Sequence, residues 1–143
     1  MRIFMDANVL FAAAISPQGR SAVLFLLAQE GLCELLTSSH AVTESRRNLA
    51  ARYPEAVERF ESSLRIVTVV PEATSSRVAW ARRHGLPEQD APILAAAVAA
   101  RADVLVTGDR THFGHLLGQI AGGVRVLGLA DTLRLLLRVE SDK

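Results

Sequence analysis

The stretch "DVLVTGDRTHFG", Asp103 to Gly114, places a charge at the end of what reads as a buried strand. Val104–Val106 is a short apolar and β-branched run, typical of strands inside a sheet. The carboxylate of Asp109 follows after a threonine and a glycine. A buried charge needs a partner, because leaving it unpaired in an apolar environment is costly. The stretch therefore predicts a strand that carries a functional group to its tip.

The same kind of apolar run recurs along the chain and alternates with helical segments. We predict strands over Arg2–Met5, Cys33–Thr37, Arg65–Val70, Val104–Val106 and Val124–Leu127. We predict helices over Arg20–Glu30, from Ser38 or Ser39 to Tyr53, from Pro54 to Leu64, over Glu72–His84 and Gln89–Ala102, briefly after Asp109, and finally to Arg138. A loop around Ser16–Gly19 separates the first strand from the first helix. The alternation predicts an α/β fold over residues 1–143 as a single domain, with helices covering both faces of a parallel sheet.

The composition limits the possible functions. Half of the 143 residues are hydrophobic and 22% are charged, which is typical of a globular domain. The net charge is only +1, so the chain is not broadly basic. Its only lysine is Lys143, which excludes mechanisms that need an internal lysine.

Localisation is predicted from the cysteine content and the apolar segments. The single cysteine, Cys33, allows no internal disulfide and fits a reducing cytoplasm. The first 16 residues resemble a signal peptide, but Asp6 and Asn8 interrupt the apolar region. The longest apolar runs fall short of the roughly 20 residues that span a bilayer. We expect a cytoplasmic protein without a membrane segment.

Four carboxylates are predicted to meet at one edge of the sheet. Asp6 and Asp109 each follow a strand, and Asp90 opens the alanine-rich helix that leads into the Asp109 strand. Glu44 lies one turn into the helix after the second strand. The carboxyl ends of parallel strands form the usual binding edge of such sheets, so these side chains are candidates for the active site.

Each carboxylate also has an ordinary structural explanation. Asp90 can be a helix N-cap, and Asp109 can cap the turn that follows it. Glu44 can be a solvated helix residue beside Arg47 and Asn48. Asp6 is harder to explain in this way, because a charge between two apolar runs must be paired, hydrogen-bonded or bound to a metal.

Taken together, the carboxylates favour a metal site. Acids gathered at one edge repel one another and raise each other's pKa values. A hard divalent cation removes that conflict, and Mg²⁺ or Mn²⁺ prefers carboxylate oxygens. Such a cation supports the attack of water on a phosphodiester and stabilises the leaving oxygen.

Several motifs give the chain a family resemblance. "MDANVL", "VTESRR", "EQDAPILAAAVAARADVLVTGD" and "VTGDRTHF" occur in order over almost the whole length. Together they resemble a PIN domain, with the toxins of the VapBC type as the nearest kin. The resemblance implies a three-layer α/β/α sandwich with a central, mainly parallel sheet. It also implies a ribonuclease that depends on Mg²⁺ or Mn²⁺.

The resemblance also assigns residues. Asp6 matches the first-strand metal ligand, and Glu44, Asp90 and Asp109 match the second, third and fourth acids of the family. Asn8 and Thr107 match polar positions that support the acids through hydrogen bonds. Many members carry a further acid after the fourth one. This chain has Arg110, Thr111, His112 and Phe113 there, so a second metal is expected to bind weakly or only together with RNA.

Basic residues near the acids are candidates for contacts with RNA phosphates, because RNA bound beside an acidic centre needs flanking positive charge. The candidates are Arg46, Arg47, Arg82, Arg83 and Arg110. Each can equally be part of a solvated helix face. His112 and His115 lie three residues apart, and we expect them to face solvent or RNA rather than to bind a metal.

Other functions compete with the nuclease. A haloacid-dehalogenase-type phosphatase needs an aspartate where the chain has Asn8, and it needs an internal lysine; a response-regulator receiver domain needs that lysine too. An inactive PIN-like binding module stays open. Within the nuclease interpretation, the toxin of a toxin–antitoxin pair is preferred over a housekeeping RNA-processing enzyme. The resemblance implies an RNA substrate, a small antitoxin partner and a homodimer.

Overall fold

Six strands and eight α-helices make up the described part of the chain. A computed structural model describes the backbone of residues 1–141 and the side chains of residues 1–138. Lys143, the only lysine, lies outside the described residues. The strands are β1 (Arg2–Met5), β2 (Glu34–Ser38), β3 (Val67–Val70), β4 (Val104–Val106), β5 (Ile120–Ala121) and β6 (Val124–Leu127). The helices are α1 (Ala7–Ile15), α2 (Arg20–Gln29), α3 (Ser39–Arg52), α4 (Val57–Ser63), α5 (Ser75–Arg82), α6 (Ala91–Ala99), α7 (Arg110–Phe113) and α8 (Leu129–Ser141).

The strands form one sheet in the order β3-β2-β1-β4-β6-β5. All neighbouring pairs are parallel except β5 with β6, which is antiparallel. The central strand β1 lies between β2 and β4, with Phe4 opposite both Leu36 and Leu105. The predicted mainly parallel sheet is confirmed. Its register brings the chain segments that follow β1 and β4 side by side.

The helices form a layer on each face of this sheet. On one face α6 packs against β2 and β4, and α5 packs against α6. On the other face α1 packs against α2, α3 and α4, while α8 lies against α2 and β4. The strands between them are almost fully buried: Ile3, Phe4 and Leu105 have no exposed surface. The structure is therefore the expected three-layer α/β/α sandwich.

Two elements were not predicted. Helix α1 begins directly after Asp6, whose side chain caps it by accepting a hydrogen bond from the Ala7 amide at 2.7 Å. Strand β5 forms a hairpin with β6 through Gly122 and Gly123, both with positive φ (58° and 84°). A two-residue turn of this kind matches the twist of an antiparallel pair.

Some predicted boundaries were too wide. The predicted helix over Glu72–His84 spans only Ser75–Arg82, because Thr74 caps it by accepting a hydrogen bond from the Arg77 amide. The predicted helix over Gln89–Ala102 spans Ala91–Ala99, with Pro92 in its first turn as expected. The predicted strand over Arg65–Val70 starts at Val67, because Leu64–Ile66 forms a 3₁₀ turn.

Among the described residues, no single helix is long and apolar enough to cross a membrane, and the two helices that together reach that length, α1 and α2, are bent by 94°.

Gly122 generates a stability prediction, because two constraints act on it. It has positive φ, and an added Cβ would lie 2.8 Å from Trp80 and 2.9 Å from Val98. We expect Gly122→Ala to destabilise the fold by about 2–4 kcal/mol, from left-handed strain together with overpacking. Gly123→Ala is the matched control, since this glycine also has positive φ but nothing lies within 4 Å of its added Cβ. Urea unfolding should show a smaller loss for Gly123→Ala, and equal losses would contradict the packing explanation.

Candidate functional site

Asp6 is a buried carboxylate at the tip of the central strand. It directly follows β1, is only 5% exposed, and its amide donates to the Val106 carbonyl at 3.1 Å. That backbone hydrogen bond extends the pairing of β1 with β4 by one residue. Because the sheet itself fixes the Asp6 backbone, the position of the carboxylate is set by strand register.

A small polar network holds the Asp6 carboxylate. The Thr107 hydroxyl donates to Oδ2 at 2.8 Å, and the Asn8 amide donates to the same oxygen at 3.3 Å. The network continues past the acid: the amide of Gly108 donates to Asn8 Oδ1 at 2.9 Å, and the amide of Asp109 donates to Thr107 Oγ1 at 3.0 Å. Asn8 and Thr107 thus contact Asp6, and they tie the ends of β1 and β4 together.

Asp109 uses one carboxylate oxygen as a helix cap. Its Oδ1 accepts hydrogen bonds from the amides of Thr111 and His112, at 3.0 and 2.9 Å. The capping explanation is therefore correct for this oxygen. Its Oδ2 takes no part in the cap and lies 2.9 Å from His112 Nδ1.

Asp90 occupies the N-cap position of α6, but its side chain makes no capping hydrogen bond. Its Oδ2 is buried and has no hydrogen bond of normal geometry, although His112 Nδ1 lies 2.8 Å away. A capping role therefore does not explain the Asp90 carboxylate. A buried carboxylate oxygen without a full set of donors is suited to a cation.

All four predicted acids line one cleft of about 240 Å³. Asp6 lies at its floor, while Glu44 is exposed. Sequence reasoning missed the contributions of Asn48, Arg52 and Phe11 to the lining. Residues 44, 48 and 52 are spaced by four along α3, so helical periodicity after Glu44 was the signal that could have found Asn48 and Arg52.

Burial and like charge both disfavour ionised acids in this cleft. Burial raises the pKa of Asp6 from 3.8 to about 6; the hydrogen bonds from Thr107 and Ala7 oppose this rise, and the charges of Asp90 and Glu44 add to it. Burial is also the main cause that raises the pKa of Asp90, with Asp109 and Glu44 adding to the rise and His112 opposing it. The acids are therefore close enough to interact electrostatically.

The two histidines behave differently from each other. His112 was expected to face solvent or RNA, but its ring contacts both Asp90 and Asp109. His112 therefore faces the acids, although 37% of its side chain remains exposed. His115 is exposed, and its Nε2 lies 2.6 Å from the His84 carbonyl oxygen.

The five arginines proposed for RNA contacts lie outside the lining of the cleft. All are exposed, and Arg46 pairs with Glu61 at 2.5 Å. They lie on α3, at the end of α5 and at the start of α7, namely Arg46, Arg47, Arg82, Arg83 and Arg110. Arg52 is the basic residue that the structure places in the lining.

Comparison with known proteins gives the family. A family model described as a PIN domain matches residues 2–111, which include all four acids. The chain belongs to the PIN domain family. None of the curated proteins compared with this PIN domain matches it.

Solved structures share the fold of this PIN domain. One is VapBC2 from Rickettsia felis bound to a DNA fragment from their promoter, with 16% identity, a TM-score of 0.61, and coverage of 90% of this chain and 98% of that chain. Another is FitAcB from Neisseria gonorrhoeae, with 20% identity, a TM-score of 0.62 and coverage of 90% and 98%. A toxin–antitoxin complex from Klebsiella pneumoniae has 19% identity, a TM-score of 0.64 and coverage of 84% and 97%. At these identities the likeness shows the fold alone.

The raised pKa of Asp6 generates a pH prediction for the metal-free protein. The folded state binds the Asp6 proton more tightly than the unfolded state, so this contribution to stability is complete below pH 3.8 and is lost as the pH rises through about 6. Relative to Asp6→Asn, the wild type should lose about 3 kcal/mol at most over that range.

Urea unfolding in EDTA at several pH values would measure this difference. Asp131→Asn is the control, because Asp131 is an exposed carboxylate paired with Arg134 on α8. An Asp6→Asn difference that stays constant with pH would show that burial does not disfavour the ionised Asp6 carboxylate.

Proposed function

We propose that this PIN domain is a divalent-metal-dependent ribonuclease that acts as the toxin of a toxin–antitoxin pair. The observation that supports it best is the convergence of Asp6, Glu44, Asp90 and Asp109, from four separate parts of the chain, on one cleft. A stable fold has no need to gather like charges in this way, because they repel one another. A cation bound among the four acids would offset this repulsion and would account for their arrangement.

The donor atoms fit Mg²⁺ or Mn²⁺. Asp90 Oδ2 is buried without a normal hydrogen bond, and the cap of α7 uses Oδ1 of Asp109 rather than Oδ2. Asp6 accepts hydrogen bonds at both oxygens, which orients the carboxylate. Its Oδ1 accepts one hydrogen bond, from the Ala7 amide, and so keeps a lone pair available. Carboxylate oxygens held in this manner are the ligands that these hard cations prefer.

The cation, when bound, would activate water and offset the charge that develops on a phosphodiester during cleavage. In this proposal Asp6, Asp90 and Asp109 hold it, with Glu44 at the exposed side of the cleft. Asn8 and Thr107 keep Asp6 in position through their hydrogen bonds. Removing Thr107 Oγ1 would free the carboxylate to rotate and would also release the Asp109 amide.

The substrate is proposed to be RNA, approached from the open side of the cleft. Arg52 in the lining and the exposed Arg47 on the same helix are placed to meet phosphates near the acids. Arg110 lies directly after Asp109, is exposed and offers a further positive charge. Arg46 is less available for this role, because Glu61 already pairs with it.

The toxin role and an antitoxin partner are supported by the structural neighbours. The Rickettsia felis structure is a VapBC2 complex, and the Klebsiella pneumoniae structure is described as a toxin–antitoxin complex. We propose that this chain likewise binds a small antitoxin protein, forms a homodimer and acts in the cytoplasm. The antitoxin would control access of RNA to the acidic cleft.

Cleavage of bacterial RNA by the purified protein tests the proposed function. We expect discrete cuts with Mg²⁺ or Mn²⁺, no cuts in EDTA, and a loss of at least about a hundredfold in rate for Asp6→Asn, because removing a charged metal ligand removes the transition-state stabilisation. Asp131→Asn, which removes an exposed carboxylate on α8, should cut at the wild-type rate.

Two results would contradict the proposal. Equal cutting by Asp6→Asn would place the activity elsewhere or in a contaminant. An absence of cutting by a folded wild type on every RNA fraction and with either metal would favour an inactive PIN-like binding module.

A further inference from the structure

His112 lies between two of the carboxylates. Its Nδ1 is 2.8 Å from Asp90 Oδ2 and 2.9 Å from Asp109 Oδ2. Ligand atoms of these three residues all lie within 4.8 Å of one another. Among the residues that the structure describes, this is the group of histidine, cysteine and acidic side chains compact enough to hold a metal ion.

The fold holds the imidazole in this place. The His112 amide donates to Asp109 Oδ1 in the cap of α7, so the start of the helix is fixed relative to Asp109. The next residue, Phe113, is fully buried and anchors the same turn in the core. Asp90 reaches the ring from α6, a different part of the chain. The ring position therefore depends on the fold and not on one flexible side chain.

We propose that His112 is a nitrogen ligand of the bound cation and makes the site prefer Mn²⁺ over Mg²⁺; this inference rests on the metal site of the proposed function. Mg²⁺ demands oxygen ligands and gives up its water reluctantly, whereas first-row transition ions accept imidazole readily. Adjacent ligands of an octahedral ion are about 3 Å apart when each lies about 2.1 Å from the metal. The distances from His112 Nδ1 to Asp90 and Asp109 match that spacing.

The charge balance of the cleft supports a neutral ligand at this position. Four acids, Asp6, Glu44, Asp90 and Asp109, already line the cleft and repel one another. Another carboxylate here would add to that repulsion, whereas a neutral imidazole adds a donor atom without adding negative charge. His112 therefore completes the ligand set at a lower electrostatic cost than an acid would.

Two measurements test this inference. Calorimetric titration would give the affinities of the wild type, His112→Ala and His115→Ala for Mn²⁺ and Mg²⁺. Electron spin-echo spectroscopy of the Mn²⁺-loaded protein detects a directly bound nitrogen, and it gives an answer on the wild type even if a variant folds poorly. His115→Ala is the matched control, because His115 is an exposed histidine of the same segment whose ring contacts the His84 carbonyl.

We expect a nitrogen coupling in the wild type and in His115→Ala, and its loss in His112→Ala. The Mn²⁺ affinity of His112→Ala should fall by about tenfold or more, with a smaller change for Mg²⁺. Tight Mn²⁺ binding without a nitrogen coupling would overturn the role of His112 and leave the carboxylate site intact. A wild type that binds neither metal would overturn the metal site itself, and with it the proposed function.

Discussion

The hydrogen bond from the Thr107 hydroxyl to Asp6, 2.8 Å long, is the contact on which the cleft depends. It joins the residues that follow β1 and β4, and it can form only because those strands are parallel neighbours in register. The same hydroxyl accepts a hydrogen bond from the Asp109 amide. One threonine therefore positions two of the four acids, and it does so through atoms that the sheet has already placed.

The electrostatic conflict in the cleft follows from this arrangement. The sheet brings Asp6 into a buried position, where burial and the charges of Asp90 and Glu44 raise its pKa. Burial and the charges of Asp109 and Glu44 likewise raise the pKa of Asp90. Burial of the apolar strands stabilises the fold and offsets the repulsion among the acids. A metal-dependent nuclease would benefit from this repulsion between carboxylates. A bound cation offsets the repulsion, and the protein therefore binds the cation more tightly. The membership of the PIN domain family agrees with this interpretation.

Most of the fold could be predicted because the buried strands form continuous apolar runs. The Val104–Val106 run and the similar runs along the chain predicted the parallel sheet. The acids were predicted at one edge because they follow strands or lie near the starts of helices. Helix α1 was missed because "ANVLFAAAI" is apolar apart from Asn8 and so shows no alternation of polar and apolar faces. Strand β5 has only two residues, and its one signal was the Gly122–Gly123 pair that makes the hairpin.

Contacts between side chains of different elements are the part of the site that could not be predicted from the sequence. The four acids were predicted from strand and helix positions, and all four line one cleft in the structure. The contact of His112 with Asp90 joins residues of α7 and the start of α6, so no local pattern reveals it. The ring of His112 lies at the acids and that of His115 at the His84 carbonyl, a difference that their spacing of three residues does not reveal.

In the proposed function, one divalent cation relieves the repulsion among the acids of the cleft. The unfolding free energy measured against rising Mn²⁺ concentration, at constant ionic strength, tests it most directly. Above the dissociation constant the stability of the wild type should rise by about 1.4 kcal/mol for each tenfold increase in free metal, and Asp6→Asn should lose most of that rise. A wild-type stability that does not change with Mn²⁺ would contradict the account.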